Sequence, residues 1–265
     1  MPCSRSTTPT AEGCHTRRVT EPRDHWFEDL ADHLGGAYLR YSFTKGTEQE
    51  VDFLVTELGL EPGMRVLDVG CGPGRHAHAL GRRGIAVHGV DISERFVELA
   101  RPDAPEGVTF ERLDARELPF DGAFDAAVSL CQGAFGLAGG GPGAGGGADP
   151  DAAVLDGIAR ALRPGGRAAL SAFSAYFQVR HVEAMGSDFD ATAGVNHERT
   201  QIKDEAGTDA PADLWTTCFT PRELRLLAAR AGLAVDAVWS VTPGAYGRHE
   251  PTIDSEEFLL VATRP

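Results

Sequence analysis

Long apolar runs, paired cysteines and positive charge are all scarce in this sequence, and each shortage removes a class of protein. No stretch approaches the ~18 consecutive apolar residues of a membrane-crossing helix, so a soluble chain with no membrane partner is expected. Lys and Arg number 25 against 39 Asp and Glu, a net charge of −14. Nucleic-acid binders gather basic residues on one face to meet phosphates; no such cluster is present, and no nucleic-acid partner is expected. The five cysteines fall at 3, 14, 71, 131 and 218 without a Cys-x-x-Cys pair. That pattern supplies neither a thiolate zinc site nor a disulfide framework, and it points to a reducing cytoplasm. His76-Ala77-His78 lacks zinc spacing and no His-Glu-x-x-His run occurs, so no metal is expected.

Residues 1–23 are rich in Ser, Thr, Pro and Arg and lack an apolar h-region, so they read as a disordered tail and not as a secretory signal. Pro2, Pro9 and Gly13 also disfavour the amphipathic helix of a transit peptide. The remainder, 24–265, is expected to form a single domain, since 42% hydrophobic content over this length can bury one sizeable core.

What is present begins with Val66-Leu67-Asp68-Val69-Gly70-Cys71-Gly72-Pro73-Gly74. A short apolar strand runs straight into a turn with glycine at alternate positions, which lets backbone and ligand approach closely, and a helix follows near Arg75. Ile85-Ala86-Val87-His88-Gly89-Val90-Asp91 is a second apolar strand, and its terminal acid lies at the distance, about 20 residues, that suits a ribose hydroxyl pair. A dinucleotide dehydrogenase would require Gly-x-Gly-x-x-Gly, with a third glycine where Arg75 stands.

With Asp68, Gly70, Gly72, Gly74 and Asp91 in place, the chain resembles the class I S-adenosylmethionine-dependent methyltransferases. The resemblance implies a Rossmann-like α/β fold. Its seven-stranded, mostly parallel sheet would carry helices on both faces, an antiparallel last strand and a lid insertion after the fifth strand. It implies S-adenosylmethionine as cofactor, held by Asp68, Gly70, Cys71, Gly72, Gly74, Asp91, Ile92, Asp114, Ala115, Leu130 and Cys131. In such enzymes the acid at Asp114 meets the adenine amino group, and Cys131 lies beside the methionine moiety.

Other elements follow at fitting intervals. Val108–Arg112 reads as a third strand and Phe124–Leu130 as a buried fourth. A helix is predicted over 150–162, then a turn Arg163-Pro164-Gly165-Gly166 and a strand 167–173. Thr220-Pro221-Arg222-Glu223 opens a helix as a capping box, and strands are expected near 235–241 and 257–263. Upstream, residues 24–60 carry two helices: one with Trp26, Phe27, Leu30, Leu34 and Leu39 at near-helical spacing, and one with Thr47 and Glu50 as a capping box. Tyr41 and Thr44, in the link between them, could touch cofactor or substrate.

Three loops leave the carboxyl edge of such a sheet, where ligands bind. Nine glycines fall between Gly133 and Gly147, a composition read as a tolerated low-complexity insertion. The 174–217 segment is too long for a bare connection and is read as a lid, with an apolar helix face at Tyr176, Phe177, Val179 and Val182. A hairpin should follow, with arms 197–204 and 211–219. The third loop, 242–255, carries Tyr246, Arg248 and His249.

Methyl transfer demands alignment more than a fixed catalytic motif, so catalytic residues are not assigned. His181, His197 and His249 read as solvated loop residues, each also a candidate base; Arg180, Arg199 and Arg248 are candidates for binding an anionic substrate. The expected function is methyl transfer to a small-molecule acceptor. The alternative is binding of the cofactor without methyl transfer, as a regulatory module or in an enzyme using another of its carbons. Nothing in the pattern specifies an oligomeric state.

Overall fold

The computed structural model describes residues 25–137 and 149–265. The predicted disordered tail and most of the glycine-rich insertion lie outside the described residues.

Five parallel strands form the first half of the sheet: β1 (Arg65–Val69), β2 (Ala86–Asp91), β3 (Val108–Arg112), β4 (Phe124–Ser129) and β5 (Leu162–Ser174). They lie in the order β3-β2-β1-β4-β5. The chain moves outward from β1 to β3 on one side and then returns to place β4 on the other, leaving a crevice at the carboxyl ends of β1 and β4. Strand β10 (Glu257–Thr263) lies antiparallel to β5 and to the edge strand β9 (Ala234–Val241). These strands form the Rossmann-like part of a ten-stranded sheet, larger than the seven strands expected, with the last strand antiparallel as predicted.

Alternation along β1 divides the core in two. Leu67 and Val69 face Ile158 and Leu224 on α5 (Pro150–Ala161) and α7 (Pro221–Arg230), while Val66 faces the other cluster, with Leu54, Leu80 and Val97. Those three lie on α2 (Thr47–Leu58), α3 (Arg75–Gly81) and α4 (Glu94–Ala100). The capping box on α7 forms as predicted: Thr220 Oγ1 accepts from the Glu223 N–H at 3.1 Å, and Glu223 accepts from the Thr220 N–H at 3.3 Å.

Three local expectations are corrected. Thr47 and Glu50 make no capping box, because the Glu50 carboxylate is turned inward to Arg75 and His76, both at 2.7 Å. The first helix, α1 (Phe27–Leu34), stops short of Leu39: Gly35 takes φ 47°, and a 3-10 segment Gly35–Arg40 follows. Residues 163–166 are not a free turn before β5 but an irregularity inside it; Phe124 pairs with Leu162, and the ladder resumes at Ala126 with Arg167.

Between β5 and α7 stands the insertion: α6 (Ala175–Met185), β6 (Asp188–Asp190), β7 (Val195–Lys203) and β8 (Asp209–Phe219). The predicted hairpin is β7 and β8, paired antiparallel from Val195 with Thr217 to Lys203 with Asp209. Its base joins the main sheet, where Cys218 and Phe219 run parallel to Phe173 and Ser174. Its tip docks on the N-terminal segment. There Glu205 Oε1 accepts from the Gly36 N–H at 2.6 Å and pairs with Arg95 at 2.9 Å, while Arg40 donates to the Asp204 carbonyl at 3.0 Å. Ile202 packs with Ala31, Leu34 and Phe96 beneath that contact.

Candidate functional site

The glycine turn is held by backbone bonds across β1 and β2. The N–H groups of Gly70 and Cys71 both donate to the Val90 carbonyl, at 2.8 and 3.0 Å. Gly70 and Gly74 take φ 73° and 79°, and a Cβ on Gly70 would stand 2.1 Å from the carbonyl carbon of Gly133. Gly72, with φ 54°, differs: a Cβ there would meet only the Tyr38 ring, at 3.8 Å, so the backbone faces open space. Asp91, 3% exposed, accepts from the Gly72 N–H through Oδ2 and from the Ser93 N–H through Oδ1, both at 2.8 Å. Burial pushes its carboxyl up to about 6, against the pull of those two bonds. Burial likewise pushes Asp68 up to about 7, beneath the turn, with Arg75 opposing.

A cleft of about 410 Å³ opens beside this turn. Gly70, Asp91, Ile92, Asp114 and Ala115 line it, so β1, β2 and the segment after β3 converge there as the resemblance implied. Asp114 Oδ1 accepts from the Arg116 N–H at 2.9 Å and caps a short 3-10 turn, and its carboxylate pairs with the Arg116 guanidinium. The far wall, unforeseen in the sequence, consists of His25 and Phe27 from the N-terminal segment, with Leu137 and Val154.

A second, larger cavity of about 1110 Å³ adjoins the cleft and shares Phe27, Gly133 and Leu137 with it. Its walls are aromatic and aliphatic: Trp26, Tyr38, Tyr41 and Phe43 on the N-terminal side, Ile202 and Leu214 on the insertion hairpin. At its floor, just beyond β4, stand two consecutive non-glycine residues in the left-handed region, Cys131 and Gln132, each with φ 51°. Such conformations cost about 1–3 kcal/mol apiece and concentrate at ligand sites. The Cys131 N–H donates to Ser171 Oγ at 2.7 Å, and its thiol, pushed up to about 12 by burial, is not ionised near neutral pH. It is no nucleophile.

A family model for a methyltransferase domain matches residues 66–166. The cypemycin N-terminal methyltransferase of a Streptomyces species is 33% identical over 221 residues, 76% of this chain and 84% of that protein. The chain belongs to the S-adenosylmethionine-dependent methyltransferases. The 27-O-demethylrifamycin SV methyltransferase of Amycolatopsis mediterranei is 34% identical over 56% of this chain, which spans about half (55%) of that relative's length. In fold, it matches the S-adenosylmethionine-bound amino pentose methyltransferase of Micromonospora echinaspora with a TM-score of 0.56, at 22% identity over 87% of this chain and 96% of that one. The family's cofactor is S-adenosylmethionine.

In this methyltransferase the expected site residues separate into layers. Gly70, Asp91, Ile92, Asp114 and Ala115 line the cleft, and Cys131 lines the larger cavity. Asp68, Cys71, Gly72, Gly74 and Leu130 line neither; Asp68, Cys71 and Leu130 are buried behind them. Tyr41 lines the cavity, whereas the Thr44 hydroxyl is spent on the Leu39 and Tyr41 carbonyls.

The candidate bases and anion binders do not reach the site. None of His181, His197 and His249 lines either space: His197 stacks on Trp215 and bonds Asp213 at 2.6 Å, and His249 bridges to Ser240 in β9. Arg180, Arg199 and Arg248 pair with Asp254, Asp188 and Glu57, which leaves no guanidinium from this set in the cavity. Gln132 and Glu257 are the functional candidates that sequence reasoning missed. Both line the larger cavity, yet each reads in sequence as an ordinary end of a strand. No helix among the described residues is long and apolar enough to cross a membrane.

Proposed function

We propose that this methyltransferase holds the adenosine of S-adenosylmethionine in the smaller cleft and transfers the methyl group to a small molecule with a large apolar body in the cavity beneath the lid. One observation carries the reading: the aromatic cavity of about 1110 Å³ meets the cofactor cleft at Gly133, at the carboxyl end of β4.

The chain's own groups divide the work. Asp91 has a free lone pair on each oxygen beyond those used by Gly72 and Ser93, and accepts from two ribose hydroxyls. Gly72 leaves the room that any side chain would fill, and Ile92, Ala115 and Leu137 form apolar faces for the base. When bound, the cofactor supplies an electrophilic methyl carbon on a sulfonium. The lid and the N-terminal segment exclude water and align the acceptor, which is the principal demand of an in-line displacement.

Purified protein incubated with S-adenosylmethionine and a panel of apolar amines, phenols and alcohols tests the reading by mass spectrometry. S-adenosylhomocysteine appearing together with an acceptor heavier by one methylene supports it. Methylthioadenosine as the product, or a folded protein that binds neither cofactor form, overturns it.

A further inference from the structure

The larger cavity contains a buried acid with no cationic side chain on the cavity wall among the described residues. Glu257 opens β10 and pairs with Phe173 on β5 and Val241 on β9, so it sits mid-sheet at the mouth of the crevice and is 5% exposed. Its Oε2 has no hydrogen-bond partner. It lines both the main cavity and an adjoining chamber of about 650 Å³ under α6. Across from it Gln132, 4% exposed, is near enough to hold the Glu257 carboxyl down, yet its Nε2 completes no hydrogen bond of normal geometry in the same space. No Lys, Arg or His lines that cavity among the described residues.

A buried polar atom without a partner costs about 1–3 kcal/mol, and an unpaired buried carboxylate costs more. Two such groups aimed into one cavity, beside a strained backbone, mark a place that a ligand completes. The surrounding charges sharpen what that ligand must be. Burial pushes the Glu257 carboxyl up to about 7 against the pull of Gln132; Glu50 and Glu256 add negative potential there, and Arg75, committed to Glu50, offsets it only in part. Trp26, Tyr38, Tyr41 and Phe43 add ring faces, which attract cations. A neutral hydroxyl would leave the carboxylate charge unmatched; an ammonium group matches it.

We infer, on the basis of the function proposed above, that the acceptor is an amine on an apolar body, received at Glu257 and methylated on nitrogen. The ammonium gives one proton to the Glu257 carboxylate, which frees the nitrogen lone pair. That pair forms the N–C bond to the methyl carbon while the S–C bond breaks and its electrons stay on sulfur. A neutral thioether and a methylated ammonium result, so the positive charge passes from sulfur to nitrogen and the proton rests on Glu257. Gln132 Nε2 is placed to donate to an oxygen of the same acceptor.

Calorimetric titration separates this inference from its alternatives, using 2-phenylethylamine and its neutral counterpart 2-phenylethanol with S-adenosylhomocysteine saturating. The wild type is expected to bind the amine about tenfold or more tightly than the alcohol. Glu257→Gln should abolish that preference, and Glu257→Asp, which keeps the charge, should retain it. Equal affinity for the two probes in the wild type, including no affinity for either, overturns the inference even if Glu257→Gln fails to fold. So does a Glu257→Gln protein that still prefers the amine. Failure of S-adenosylhomocysteine itself to bind would strike the proposed function, and this inference with it. Binding of S-adenosylhomocysteine with equal probe affinities would strike this inference alone.

Discussion

The proposed cofactor cleft and the proposed acceptor cavity are built on opposite plans. The cleft is founded on backbone from one stretch, β1 to β3, where alternate glycines and the Val90 carbonyl define the turn, and side chains from elsewhere supply only its far wall. The acceptor side is made of side chains gathered from the N-terminal segment, the end of β4, the lid and β10. Its closure rests on exposed contacts such as Glu205 with Arg95. A site defined by backbone tolerates little change, whereas one defined by side chains from separate loops can be respecified without disturbing the sheet.

Substitutions can break this contrast or sharpen it. The largest effect is expected at Gly70→Ala, where the new Cβ meets the Gly133 backbone at 2.1 Å and the residue must hold φ 73°. A loss of about 3 kcal/mol or more in urea unfolding is expected. A fully stable variant would show that the turn is not backbone-locked.

Next comes Asp91→Asn, for which calorimetry should find S-adenosylhomocysteine affinity reduced about 10- to 100-fold, the value of hydrogen bonds to a charged acceptor. The same carboxyl makes binding depend on pH. Its folded value is raised to about 6, so the carboxylate that accepts from the ribose predominates only above that point. Affinity should strengthen about tenfold from pH 5 to pH 7. The effect on the empty protein has the opposite sign: a carboxyl raised on folding contributes stability below its unfolded value of 3.8 and loses it as pH rises through 6. An unchanged pH profile in Asp91→Asn would detach the titration from this residue.

A smaller effect is expected at Thr220→Ala, which removes the cap of α7 behind the sheet. About 1 kcal/mol of stability should be lost with cofactor affinity unaltered, since α7 lines neither space. The smallest change in stability belongs to Glu205→Ala at the lid tip. Its ion pair is exposed and screened, so the melting temperature should hold while limited proteolysis at 204–208 becomes faster. Unchanged proteolysis would mean that the apolar contact at Ile202, not Glu205, holds the lid.

Legibility in the sequence followed the same divide. The turn from Asp68 to Gly74 and the acid Asp91 could be read because each requirement is local, φ at a glycine or an acid at the end of a strand, whereas Asp114-Ala115 came from the family resemblance. The α7 capping box was legible for the same reason. At Thr47 and Glu50 an identical pattern misled, because two buried cationic-type partners on α3 drew Glu50 away from its own helix end. Burial alone would push the Glu50 carboxyl up, yet the hydrogen bond to His76 and the nearby Arg75 hold it down at about 2.

The sequence by itself determined the strands of the parallel half, the glycine turn and the hairpin of the insertion, since alternation, glycine spacing and turn residues act over a few neighbours. Only the tertiary structure decided which polar groups share the acceptor cavity. Gln132 and Glu257 are distant in the chain and unremarked by any local pattern. They meet because β4 and β10 both flank β5, and they matter because the fold buries them there with no cationic side chain on the cavity wall among the described residues.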